Sequence, residues 1–368
     1  MAPKDDKPAG RGARLITLRH MDGLTQTALA AKLGVTQGFV SQVEKGTKPL
    51  PSDLAEQAAA TFGLPVEFFS VPADVTEAGT TTFRKSSKAS VMDQNLVTAA
   101  FGEAARLFRI ASERSGHHPA DLITPLGEDV EETASNLRSI LGLGPTDAIA
   151  NATRAAERLG VGVIHGIVPV TQEATTDHHG ITRPNMLTDR PLIGLVGQQP
   201  PHAARLTVMH ELAHLIYDRD RDVPIRGTRS PEERRAFRFA GAMLIPASVV
   251  RERISETLTL HGYLRIKADY GISVAALIVR AVDLNVISAA RSRSLFIQLS
   301  SQGWRRNEPV PVAKEHALLL PQAARHGISA DPSVIAKHTG VRYAQVEQWT
   351  GLSRPQAPME NVIPLRRP

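Results

Sequence analysis

The chain has 368 residues, 43 Lys and Arg against 37 Asp and Glu, and 42% hydrophobic residues. That length suggests two or three domains with ample material for packed cores, and the net charge of +6 permits nucleic-acid binding without singling it out. There is no cysteine, which excludes disulfides and thiolate metal sites and leaves His and carboxylates as metal ligands. Neither an apolar run of about 18 residues nor a signal-peptide core is present, so the expectation is a cytoplasmic protein without a membrane segment.

In chain order, Gly10 to Phe69 predicts five short helices. Leu15, Ile16 and Leu18 give the first an apolar face. Thr25 caps the second, Gln26 to Leu33, which stops at Gly34. Thr36 caps the third, Gln37 to Lys45, which stops at Gly46. Ser52 caps the fourth, Asp53 to Phe62, and Pro65 opens the fifth. The pair around Gly34, with Val35, Val40 and Val43 facing inward, reads as a helix-turn-helix. Gln37, Ser41 and Gln42 line the outer face of the third helix. Gln can pair bidentately with adenine in the major groove, and Ser is permissive. Lys45 and Lys48 lie where phosphate contacts help, and Gln26 begins the helix that crosses the backbone. A bundle serving only protein interaction is the alternative; the polar reading face argues for double-stranded DNA.

The stretch LTQTALAAKLGVTQGFVSQVEKGTKPLP resembles the phage-repressor-like (XRE) helix-turn-helix family. The resemblance implies an operator DNA and, because such heads bind two half-sites, a homodimer. Gly38 departs from the pattern at a position where a side chain often reads a base.

Val71 to Thr82 is Pro-, Gly- and Thr-rich and reads as a linker. A helix is predicted from Ser90 to Ser115, with Val91, Leu96, Ala99, Ala104, Leu107 and Ile110 on its buried side and Arg106, Arg109 and Arg114 on a solvated face. Helices over Glu131 to Leu141 and Asp147 to Leu159 follow. VGVIHGIVPV (161–170) and PLIGLV (191–196) read as strands. A small sheet beside helices implies an α+β domain.

Met209 to Tyr217 reads MHELAHLIY. His210 and His214 are four apart and share one helix face, with Glu211 beside them. This H-E-x-x-H pattern suits a zinc site: two imidazoles bind Zn2+ and the glutamate acts as general base. Met209, Leu212, Ala213 and Ile216 form an apolar stripe, so the helix is expected to be buried on that side. The alternative is a surface helix whose polar face carries the pattern without a metal. Tyr217 shares the histidine face; a packed aromatic and a ligand-orienting or oxyanion role both stay open. Arg205 is expected to pair with a carboxylate. His261, His316, His326 and His338 stand isolated.

A third ligand is required. The next helix, PEERRAFRFAGAML from Pro231, presents Ala236, Phe239, Ala240 and Met243 inward, and Glu233 falls on the same face. Glu233 is the preferred ligand. It is also placed to close a capping box with Ser230, and Glu232 is the other carboxylate in reach. Asp177-His178-His179 has ligand residue types without helical spacing and reads as a polar loop.

The segments RLTVMHELAHLIY and EERRAFRFAGAMLIP together resemble the ImmA/IrrE metallopeptidase family, with Glu233, Ala236, Phe239, Ala240, Leu244 and Pro246 in place. Phe237 stands where the family shows a small polar residue. The resemblance continues through YGISVAALIVRAVDLNVIS and the segment around Trp304, and it implies a zinc protease that cleaves a repressor. Leu264 to Ile287 resembles a second helix-turn-helix, although Val274, Leu277 and Ile278 suggest packing at least as strongly. Leu295 to Ser300 reads as a strand and Pro321 to Leu352 as helical.

The expected organisation is a multidomain chain. An all-α helix-turn-helix domain (9–72) is followed by a linker and connecting helix (73–118). An α+β zincin-like metallopeptidase domain (119–262) comes next, then a mostly helical region (263–352) and a disordered tail (353–368). The preferred reading is a DNA-binding regulator that cleaves a repressor, another partner protein or itself, with His210, His214 and Glu233 on zinc and Glu211 as base. The alternative is a transcription factor whose protease-like domain only senses a ligand or partner.

Overall fold

The computed structural model describes residues 9–72, 81–85, 90–122, 129–168, 178–221, 225 and 230–353. The head comprises α1 (Ala9–Met21), α2 (Gln26–Leu33), α3 (Gln37–Glu44), α4 (Ser52–Phe62) and a 3-10 turn (Val66–Ser70). Thr25 and Thr36 accept the amides of Ala28 and Phe39, which satisfies a donor that each helix start leaves open. Gly34, at φ 68°, makes the turn between α2 and α3 in a conformation that costs other residues more. Leu15, Leu18, Leu29, Val40, Val43 and Phe68 close the core. Two details differ from expectation. The residue before α4 is Pro51, so Ser52 is already helical rather than its cap. The fifth element is a five-residue 3-10 turn, too short for an α-helical ladder.

The body is built on a four-stranded sheet of β1 (Thr82–Lys85), β2 (Gly162–His165), β3 (His178–Thr182) and β4 (Leu192–Leu195), in the order β1-β3-β4-β2. β2 and β4 are parallel; β3 runs antiparallel to β4, and β1 antiparallel to β3. Val163, Ile193 and Leu195 belong to the core around the H-E-x-x-H helix, whereas Ile164, Ile181, Leu192 and Val196 pack with Phe101 and Phe108. The sheet is thus buried on both faces, which is why β2 and β4 lie in apolar runs of sequence. On one face lie α5 (Val91–Arg114) and the late helices α14 (Leu319–Gly327), α15 (Pro332–Thr339) and α16 (Tyr343–Thr350). The other core takes in α6 (Val130–Ile140), α7 (Ala152–Arg158), α8 (Pro201–Tyr217), α9 (Pro231–Leu244), α10 (Ala247–Arg253), α11 (Leu260–Tyr270), α12 (Val274–Asp283) and α13 (Ala289–Ser301).

Several expectations are corrected. Leu295 to Ser300 is not a strand but the second half of α13: Leu295 and Leu299, one turn apart, are both buried. α7 begins at Ala152, not Asp147, because Asn151 caps it while the Asp147 carboxylate accepts the Gly144 amide. His178 and His179 open strand β3 rather than lying in a loop; Asp177 is outside the described residues. The strand expected over 161–170 is only Gly162–His165, with 169–170 not described. Val91 is 73% exposed at the start of α5. Arg106 is not solvated: it is buried against Glu103 and the Thr339 carbonyl. Val274, Leu277 and Ile278 of α12 are buried in the body. The tail from 354 lies outside the described residues.

Head and body meet at α5. Arg14 of α1 makes two hydrogen bonds to Glu103, at 2.5 and 2.8 Å, and Arg106 adds a third at 2.6 Å. A single buried carboxylate is thereby shared by two guanidiniums, one from each side of the junction. Arg342 pairs with Asp22 at 2.6 Å beside it.

Candidate metal centre and DNA-reading face

Pro201 opens α8, where a missing amide costs nothing. Thr207 to Ile216 are all buried, so the helix runs through the interior rather than along the surface with one covered side. His210 and His214 stand one turn apart with their Nε2 atoms 3.2 Å from each other. α9 delivers the third group. Ser230 Oγ accepts the Glu233 amide at 3.2 Å, while the Glu233 carboxylate turns to the histidines. Its Oε2 lies 3.3 Å from His210 Nε2 and its Oε1 3.5 Å from His214 Nε2. Tetrahedral zinc with bonds of about 2.0–2.2 Å spaces its ligands about 3.3–3.6 Å apart. The two imidazole nitrogens are close to such a spacing, and each faces a different Glu233 oxygen at a comparable distance, so one carboxylate oxygen can join both nitrogens around a metal; among the described residues this is the cluster able to hold one.

The charges fit as well. Burial opposes a charged His214, but hydrogen bonds to Asp218 and Glu233 outweigh it and lift its pKa to about 9. Burial also opposes an ionised Glu233, yet hydrogen bonds to His210 and His214 hold it at about 2. The three groups favour one added positive charge among them, which a proton or a metal cation can supply.

Asp218 completes the support, and its role was not anticipated. It accepts at 2.7 Å from His214 Nδ1 through Oδ2 and at 2.6 Å from Arg235 through Oδ1. A carboxylate on the far nitrogen fixes the imidazole tautomer and orientation and leaves Nε2 turned to the cluster that could hold a metal. The signal was visible: Asp218 follows His214 by four, hence on the same face. The Phe237 ring lies 4.5 Å from the His210 ring and walls the site on that side.

Glu211 is fully buried beside the histidines. Its room comes from Gly180 of β3: a Cβ there would stand 2.6 Å from Glu211 Oε1 and 2.6 Å from Thr207 Cγ2. Gln199 ties this part of the sheet to α8, donating to the His179 carbonyl and accepting from Thr207 Oγ1.

The other sequence candidates lie elsewhere. Glu232 pairs with Arg221 at 2.8 Å. Tyr217 packs edge-on against Phe239, with the Arg235 guanidinium 4.7 Å over its ring. Arg205 pairs with Glu315, whose carboxylate also accepts the first amides of α7. His261, His316, His326 and His338 are exposed.

On the head, Gln37, Gln42, Lys45 and Lys48 are exposed and Ser41 is half-buried on α3 and the turn after it. Gln37 Nε2 donates to Gln26 Oε1 at 2.7 Å, and Gln26 Nε2 donates to Glu44 at 2.8 Å. Arg19 holds Glu44 from behind at 2.6 Å. This Arg19–Glu44–Gln26–Gln37 chain pre-orients two side chains of the predicted reading face.

Residues 15–69 match the helix-turn-helix family model, and residues 156–282 match that of the IrrE N-terminal-like domain of the M78 peptidases. The chain joins an XRE-type helix-turn-helix to an ImmA/IrrE-like peptidase domain. None of the curated proteins or solved structures compared with it matches. The peptidase match runs from α7 to α12 and so contains β3, His210, Glu211, His214 and Glu233. With its helix-turn-helix head, the chain is a DNA-binding regulator carrying a peptidase-type domain. Among the described residues no helix is long and apolar enough to cross a membrane.

Proposed function

We propose that this regulator is a zinc-dependent endopeptidase that cuts a repressor, another partner protein or its own chain after a signal, while its head, as a homodimer, holds an operator. The observation that carries the reading is the convergence of His210, His214 and Glu233, each imidazole within 3.5 Å of a Glu233 oxygen, with the buried Glu211 carboxylate beside them. Zinc, when bound, supplies a Lewis acid for the scissile carbonyl and for water. Glu211 takes the proton of the attacking water and returns it to the leaving amine. Asp218 and Arg235 keep His214 in one orientation throughout. On the head, Gln37 and Gln42 read bases, Ser41 is permissive, Gln26 positions Gln37, and Lys45 and Lys48 contact phosphates.

The test is zinc content and casein hydrolysis in wild type, His214→Ala and Glu211→Gln. About one zinc per protomer is expected in wild type and in Glu211→Gln and none in His214→Ala; hydrolysis is expected in wild type alone. Full activity in Glu211→Gln would sink the mechanism. One observation favours a second reading, a sensor that binds without turnover: His210, Glu211 and His214 are each 0% exposed. Zinc binding in wild type without hydrolysis of any protein substrate would support that reading instead.

A further inference from the structure

The sheet edge beside Glu211 is occupied by the chain itself. One edge of β3 pairs with β4, deep in the body; the other pairs antiparallel with β1, which lies between the head and α5. The register sets Thr82 opposite Thr182, Phe83 opposite Ile181 and Arg84 opposite Gly180, then slips before Lys85 meets His178. Gly180 is the residue whose missing Cβ makes room for the Glu211 carboxylate. The backbone that pairs with Arg84 is therefore the backbone that touches the base. An extended peptide brought to this base has a row of N–H and C=O groups on β3 to bind, and main-chain pairing of this kind accepts many sequences.

We infer that residues 82–85 are a strap held in cis on a peptide-docking edge, and that an extended peptide, basic at the position paired with Gly180, binds by displacing it. The consequence for turnover rests on the peptidase reading; the docking does not. β1 suits a replaceable strand. It has four residues, its ladder is broken by the slip after Arg84, and it forms the outer strand of the sheet. Short, irregular edge pairs belong to the low-stability end of a structure. A tethered strand still enjoys an effective concentration of about millimolar, so it excludes dilute free peptides while yielding to a better partner.

The test uses the full chain in a Glu211→Gln background, so that binding is read without cleavage. Residues 82–85 are replaced by Gly-Ser-Gly-Ser, and the probe is a fluorescein-labelled peptide GTTTFRKS, the chain's own residues 79–86. Anisotropy is expected to show the peptide binding the replaced chain at least about tenfold more tightly than the parent. Equal affinity, or no binding to a replaced chain with parental circular dichroism, overturns the inference. If the replacement unfolds, Thr82→Cys with Thr182→Cys keeps the strand and, in a chain without other cysteines, locks it on oxidation. About millimolar peptide is then expected to bind the reduced form and not the oxidised form; equal binding overturns the inference. Casein hydrolysis by the same variants with Glu211 restored is measured separately. Its absence throughout counts against the peptidase, not against the strap.

Discussion

Replacing Asp218 by Asn tests whether the carboxylate behind His214 tunes the metal site. Asn keeps the volume and still offers an oxygen, so the perturbation is the loss of one negative charge. That charge sits 2.7 Å from His214 Nδ1, in a residue 2% exposed, and is poorly screened. Loss of such a partner typically weakens metal affinity about 10–100-fold, or about 1.4–2.7 kcal/mol. Arg235 also loses its partner, but its side chain is 25% exposed, so water replaces the bond and global stability changes little. Asp218→Ala removes the acceptor as well and is expected at the upper end of the range. The assay is zinc competition against a chromogenic chelator at neutral pH, with His214→Ala as the site-null control and circular dichroism for folding. A folded Asp218→Asn that binds zinc within about twofold of wild type would refute the reasoning, because His214 would then need no anionic partner.

Gly180→Ala forces its Cβ against Glu211 Oε1; we expect about 1–3 kcal/mol of destabilisation by thermal melting and a loss of hydrolysis with zinc retained. Burial alone would raise the Glu103 pKa, but Arg106 and Arg14 outweigh it and hold the carboxyl below its usual 4.5. Stability from this group is therefore complete above about pH 4.5 and lost as pH falls through the lower folded value. Glu103→Gln, which strands two guanidiniums, is expected to cost about 3–5 kcal/mol at neutral pH and to flatten stability against pH below 4.5; an unchanged denaturant midpoint contradicts this. Gln37→Ala with Gln42→Ala is expected to relax operator choice. Lys48→Ala should instead weaken operator and random DNA alike and reduce the salt slope by about one. Gel shifts on both DNAs across a salt series separate the two effects.

Local periodicity carried the head and the H-E-x-x-H helix. Thr25, Gly34 and Thr36 punctuate α2 and α3 in any context, and His210, His214 and Glu233 fall on helix faces whose spacing is independent of the rest of the fold. It failed where pairing decides. HHGIT has little strand propensity of its own; β3 exists because β4 and β1 flank it. LFIQLS is an apolar run that periodicity alone cannot assign, and the burial of Leu295 and Leu299 within one core settles it as helix. Asp147 and Asn151 compete to start one helix, and the Gly144 amide removes Asp147 from the contest.

The site was legible in its donors and illegible in its supports. The candidate ligands stand out because a metal would need particular atoms at helical spacing. The groups that steady them are ordinary residues made special by neighbours distant in sequence. Asp218 has its partner Arg235 on the next helix, and Glu211 depends on a glycine of β3, with β4 and half of α8 between them in the chain. Arg106 looked like a solvated charge on a helix face, as most arginines there are. Its burial follows from Glu103 within α5, Arg14 from the head and the Thr339 carbonyl from the far end of the chain. A charge leaves water only when such partners converge. Their convergence is a property of the tertiary fold, which a local pattern along the sequence does not contain.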